Sequence, residues 1–216
     1  MSNAKKNIKN IRIDYDKSLI DFNNIIDSPF DFLNDWINDA LAIDPDNANA
    51  FVLSTVSKSL IPSSRVVLLR GISEKGLVFY TNYNSDKSKD IFENDNVCIN
   101  FFWPFLEKQV RVQGKISKIS SIESDNYFNS RPKSSQLGAL ASDQSSNVPL
   151  DFSFDRKINL LKDKYKESSV DRPKYWGGYI IIPSTFEFWQ GRPSRLHDRL
   201  CYKLEQNNWV VERKSP

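Results

Sequence analysis

From Ala50 onward the chain breaks into short β-branched and aromatic runs, and this pattern restricts the fold more than any other feature. AFVLSTVS, SRVVLLRGI and GLVFYTN are separated by the turn-rich SLIPS and SEKG. VCINFFWPF and EKQVRVQGKISKI follow, the second placing Val110, Val112 and Ile116 on one face by alternation. WGGYIIIP, TFEFWQG, RLCYKLEQ and NWVVER close the chain, the last two joined across Asn207-Asn208. Helical spacing interrupts this series in a few places. Ser28-Pro29 opens a helix with Phe30, Leu33, Trp36, Ile37, Ala40 and Leu41 on one stripe, ending before Asp44-Pro45. Ser85 caps a short helix, and Ser120 with Glu123 forms a capping box for one that carries Tyr127 and stops at Arg131-Pro132. SSQLGALASDQ and FDRKINLLKDKYKES read as two more. Six to eight strands with peripheral helices predict an α+β, mainly β, domain built on an antiparallel barrel.

With 39% hydrophobic and 12% aromatic residues among 216, the chain can bury a single core. It shows no repeat, low-complexity tract or clear linker, so residues 28–216 read as one domain. Residues 1–27, rich in Asn and Lys, read as a mobile segment. Thirty basic and 27 acidic residues are interspersed, giving a net charge of +3. That pattern argues against a nucleic-acid-tracking arm and permits a small anionic ligand. The N-terminus lacks a secretory apolar core, and no run approaches a membrane span, so a cytoplasmic protein is expected. Cys98 and Cys201 stand apart from any metal-ligand spacing, and no metal is expected.

No GxGxxG, GxxxxGK[ST], GxSxG or HExxH is present. The chemistry-bearing residues form three sets. The only histidine, His197, lies between Arg195 and Arg199. If 194–200 is extended, all three share a face suited to a planar anion; a solvated cationic edge strand is the competing reading. Tyr127 and Arg131, at i and i+4, share a helix face with Ser135 just beyond, a set able to hold phosphate or to form a surface stack. Arg65, Tyr80, Thr81 and Lys87 form the third set, with Gln109, Gln144 and Ser145 as neutral donors and acceptors. Alternation places Arg65 and Arg70 on opposite faces, predicting two different anions. Each of these also reads as an ordinary solvent-facing polar residue. Arg12 and Tyr15 pair a cation with an aromatic in the N-terminal segment.

RVVLLR, GLVFYTN, EKQVRVQGK, YFNSRPKSSQLGALASDQSS, WGGY and EFWQGRPSRLHDR together resemble the pyridoxamine 5′-phosphate oxidase family, from about Arg12 to the C-terminus. The resemblance implies an FMN-binding split barrel working as a homodimer with FMN at the interface. It implies oxidation of pyridoxamine or pyridoxine 5′-phosphate to pyridoxal 5′-phosphate, with O2 reduced to H2O2. Arg65, Val66, Val67 and Leu68 would line the flavin, with Arg65 and Lys87 on its phosphate. Tyr80, Thr81, Gln109, Gln144, Ser145, Trp189 and Arg199 would complete that pocket. Arg70, Tyr127, Arg131 and Ser135 would hold the substrate phosphate. Arg195 and His197 would be the catalytic pair around the pyridine ring, and Arg12 with Tyr15 would close over it. The sequence departs from the family pattern at Arg70, where lysine is usual, and at Asp86, where arginine commonly helps to hold the flavin phosphate. Asp86 is therefore expected to point outward. DKSLIDFNN lacks the usual basic cluster, and the final ERKSP departs slightly. A phenazine-type flavin oxidase and a non-catalytic flavin or pyridoxal phosphate carrier are the alternatives.

Overall fold

The computed structural model describes residue 9 and residues 13–216. Its elements run α1 (Pro29–Ile43), β1 (Ala50–Val56), β2 (Pro62–Leu68), β3 (Gly71–Ser73), β4 (Gly76–Asn82), α2 (Asp86–Glu93), β5 (Asn96–Trp103) and β6 (Lys108–Lys118). There follow α3 (Ser121–Ser130), α4 (Lys133–Ala141), α5 (Phe154–Lys164), β7 (Trp176–Gln190), β8 (Asp198–Glu205) and β9 (Asn208–Arg213). All pairings are antiparallel, in the order β2-β1-β5-β6-β7-β4-β3, with β8 on β7 and β9 on β8. The expected mainly-β barrel with peripheral helices is what forms.

One strand organises this sheet. Residues 176–181 of β7 pair with β4, residues 185–190 pair with β8, and β6 runs beside both halves. The sheet therefore forks along β7. A bulge between Gln113 and Gly114 marks the fork, and a Cβ at Gly114 would collide with the Ile182 carbonyl, so the bulge needs glycine there. Inward alternation from β5, β6 and β7 builds the core around Ile99, Phe101, Val110, Val112, Phe186 and Phe188. Helix α1 closes one end, stacking Phe32 on Phe188 and setting Phe30 edge-on to Phe186. Its Ser28 cap accepts from the Asp31 N–H, as the Ser-Pro signal predicted.

Three local expectations are corrected. Residues 194–200 are not a continuous strand: Pro193–Arg195 makes a 3-10 turn, Ser194 and Arg195 are left-handed at φ 56° and 62°, and β8 begins only at Asp198. The alternating Arg-Leu-His-Asp-Arg pattern imitates a strand, but Pro193 fixes φ and bends the chain first. Strand β2 ends at Leu68, because the Leu69 N–H donates to Asn49 O and the Arg70 N–H to Val78 O, carrying the chain from one neighbour to another. The final hairpin turns at Gln206-Asn207 (φ 46° and 69°), one residue earlier than expected. Residues 13–27 are irregular, yet Ile20 is buried, its N–H donates to Asp198 Oδ2 (3.3 Å), and the Tyr202 hydroxyl donates to Ile26 O (2.6 Å). Among the described residues no helix is long and apolar enough to cross a membrane.

Candidate active site

The main cleft, about 760 Å³, opens between β2, β4 and the helices α2 to α4. It brings together Arg65, Val66, Val67, Leu68, Arg70, Tyr80, Thr81, Lys87, Tyr127, Arg131, Ser135, Gln144 and Ser145, all named from the sequence. Arg65 and Arg70 line the same cleft rather than opposite faces, since the strand that would have alternated them ends between them.

Its cations fall into two groups. In the first, Lys87 is buried at the start of α2 and, among the described residues, its Nζ donates only to neutral oxygens: Ser85 Oγ (2.9 Å), Gln144 Oε1 (2.9 Å) and Thr81 Oγ1 (3.2 Å). Burial, then repulsion from Arg65, pushes its pKa down to about 8. Ser85 stands at the helix N-terminus as expected, but its hydroxyl donates to Asn82 O instead of capping the helix. Arg65 reaches across to Thr55 Oγ1 (2.7 Å) and lies 3.9 Å from Asp90. Asp86 turns to solvent and pairs with Lys89 at 2.8 Å, the outward orientation expected for it.

The second group sits on the α3–α4 junction. Ser120 and Glu123 form the predicted capping box, fixing α3, and Arg131 caps its far end. The Arg131 guanidinium lies over the Trp176 ring at 4.6 Å, while Tyr80 stacks on Tyr127 at 3.7 Å and on Trp176 at 5.6 Å. Among the described residues the Arg131 Nη1 is buried without a hydrogen-bond partner. Burial holds the guanidinium below its ordinary pKa, and Arg70 lowers it further against the opposing pull of Tyr127. Two arginines face one another here with a hydroxyl, a phenol and no carboxylate, the donor set for a phosphate. Trp176 was missed as a site residue, because an aromatic opening a strand looks like core; its place in the quoted WGGY motif was the available signal.

Gln109, Trp189, Arg195, His197 and Arg199 do not line this cleft. They gather at the far half of β7, where Gln109, Trp189 and Arg199 are direct cross-strand partners on β6, β7 and β8. Tyr15 packs against Trp189 (5.8 Å) and His197 (5.9 Å), and a Cβ on Gly191 would press into its ring at 2.7 Å. The His197 Nδ1 accepts the Arg192 backbone N–H (3.1 Å). Burial, then Arg195, lowers the pKa of the ring, with Asp198 opposing. Arg195 is exposed and makes no ion pair among the described residues. Arg12 lies outside the described residues.

The fold is shared with solved structures: PhzG from Burkholderia lata 383 in complex with tetrahydrophenazine-1-carboxylic acid superposes with a TM-score of 0.87 at 23% identity, over 94% of this chain and 99% of that one. A pyridoxamine 5′-phosphate oxidase-related, FMN binding protein of Nostoc punctiforme matches at 0.70 and 17% identity, over 88% and 98%. Fold and cleft thus define a split barrel with two groups of cations in its main cleft. The family profile described as pyridoxamine 5′-phosphate oxidase matches residues 37–160, and the pyridoxine 5′-phosphate oxidase C-terminal dimerisation region matches 176–216. Proteins named pyridoxine/pyridoxamine 5′-phosphate oxidase are 46% identical in Christiangramia forsetii (98% of this chain, 100% of that one), 48% in Cytophaga hutchinsonii (98% and 100%) and 43% in Haemophilus influenzae (97% and 99%). This chain belongs to the pyridoxamine 5′-phosphate oxidase family.

Proposed function

We propose that the chain is an FMN-dependent oxidase that converts pyridoxamine or pyridoxine 5′-phosphate to pyridoxal 5′-phosphate, with O2 reduced to H2O2, and that it acts as a homodimer. The observation that carries this is one cleft with two separate sets of cations, in each of which one buried cation, Lys87 or Arg131, makes no ion pair among the described residues. Lys87 holds a buried ammonium among neutral oxygens, and Arg131 holds a buried N–H without an acceptor. Both gain from a bound dianion, and FMN and the substrate each bring one phosphate. The residues fit the cofactor: Arg65, Lys87, Thr81, Gln144 and Ser145 would take its phosphate end, with Val66, Val67 and Leu68 beside its ring.

Bound FMN would supply the two-electron acceptor and return the electrons to O2. The protein supplies position. Arg131, Arg70, Tyr127 and Ser135 would fix the substrate phosphate, and a clamp of this kind recovers much of the orientational entropy a reaction needs. His197 has its Nδ1 lone pair committed to the Arg192 N–H and its pKa lowered, so the neutral ring keeps its proton on Nε2. It therefore serves as a hydrogen-bond donor to a substituent of the substrate ring, not as a base. Arg195, projected from a left-handed turn and free of carboxylates, would stabilise negative charge developing on that ring.

The length of β7 supports a second copy. Gly178, paired with Tyr80 of the cleft, and Trp189 are separated by roughly 35 Å of extended strand. No small ligand spans that within one chain, so the Trp189–His197 group would complete the cleft of a partner copy. Exposed Val66 and Leu68 on β2 offer an apolar face for such a contact. The test is spectroscopic. The purified protein should show flavin absorbance that bleaches on anaerobic addition of pyridoxamine 5′-phosphate and returns, with peroxide, on admitting air. Absorbance unchanged by that substrate would overturn the proposal.

A further inference from the structure

Two neighbouring rungs cross β6, β7 and β8. One is Gln109–Trp189–Arg199; the next is Arg111–Glu187–Cys201. Glu187 is buried at the centre of the second, and its carboxylate takes Arg199 as a fork: Nε to Oε1 at 3.2 Å, Nη2 to Oε1 at 2.9 Å and to Oε2 at 3.0 Å. Arg111 Nη2 donates to the same Oε2 at 2.8 Å. From the other side Ser215 O accepts from Arg199 Nη1 at 2.8 Å, and Lys214 N–H donates to Arg199 O at 3.0 Å. The guanidinium is thus gripped along one edge and at one corner, which leaves one N–H on Nη1 and one on Nη2 as its uncommitted donors.

Stability alone is a weak reason for such a network. A buried carboxylate shared by two arginines is costly to desolvate, and apolar residues of similar volume commonly do as well. What the network does provide is a fixed plane for Arg199, in register with Trp189 beside it. We propose that Glu187 is a positioning residue. It locks Arg199 so that the Gln109–Trp189–Arg199 row presents one rigid edge to the flavin ring, and the C-terminal residues 214–215 complete the lock. This rests on the reading above in which Arg199 touches the cofactor.

The experiment is a double-mutant cycle on FMN dissociation, read by flavin fluorescence as the apoprotein is titrated, with the melting temperature of each apoprotein recorded alongside. Arg199→Gln should weaken FMN binding at least tenfold. Glu187→Gln should weaken it by a similar factor, and the double variant should be no weaker than Arg199→Gln alone, because Glu187 acts through that side chain. Multiplicative losses in the double variant, or full FMN affinity in Glu187→Gln, would overturn the inference while leaving Arg199 at the cofactor. Unchanged affinity in Arg199→Gln would instead remove Arg199 from the cofactor, and this inference with it. Should Glu187→Gln fail to fold, Glu187→Asp replaces it: the charge is kept, but the carboxylate is drawn back by one methylene from Nε and Nη2. It should lose affinity in the wild-type background and none in Arg199→Gln.

Discussion

At the residue scale the cost of the site is concentrated in Lys87. Its pKa of about 8 in the folded chain, against an ordinary 10.5, means that holding the ammonium costs about 3 kcal/mol when no anion is bound. The sign follows from proton binding. Between about pH 8 and 10.5 the unfolded chain carries the proton that the folded chain lacks, so the ligand-free protein gains stability from this group as pH rises. Phosphate binding runs the other way, because it needs the ammonium. FMN affinity should therefore fall as pH passes about 8, while the apoprotein does not lose melting temperature on account of Lys87. In Lys87→Met the pH dependence of FMN binding should flatten and the apoprotein should melt higher, both measurable by titration and calorimetry. Asp86 makes a smaller, opposite case. It points to solvent at the rim of the cleft, so Asp86→Arg should tighten FMN binding only modestly, by roughly two- to fivefold at low salt.

At the level of elements, helix α3 would carry the proposed phosphate clamp and is fixed by its capping box. Ser120→Ala should cost about 1 kcal/mol, read as a lower urea midpoint with unchanged slope. Because Tyr127 and Arg131 ride on the other end of α3, the same variant should raise the KM for pyridoxamine 5′-phosphate more than it lowers kcat. This element was legible from Ser120, Glu123 and Arg131-Pro132, as α1 was from Ser28-Pro29, because capping and proline act within a few residues. What sequence spacing did not disclose depends on distant neighbours. Arg65 and Arg70 share a cleft because β2 stops where the Asn49 and Val78 carbonyls become available to accept the next two backbone N–H groups. Arg195 leaves the strand pattern because Pro193 and two left-handed residues intervene. The pairing of Glu187 with Arg199, twelve positions away, comes from the register of β7 on β8 and has no local signature.

For the whole molecule, the division of site residues between the two halves of β7 makes a quantitative prediction. If each centre joins the cleft of one copy to the Trp189–His197 group of another, Arg131→Ala and Arg195→Ala damage different contributions. Mixed by unfolding and refolding together, half of the dimers are hybrids, and each hybrid has one intact centre of two. About a quarter of wild-type activity should return, from two variants each nearly inactive alone. A centre contained within one chain would return none. The fork in the sheet has a consequence for how such a chain can change over time. β7 would act as a ruler between the two proposed centres, and pleating gives every position on it a parity. Inserting or deleting one residue beyond the fork would turn Glu187 and Trp189 inward and Phe186 and Phe188 outward, spoiling core and site together. Loops elsewhere can vary in length; this ribbon can drift only in composition.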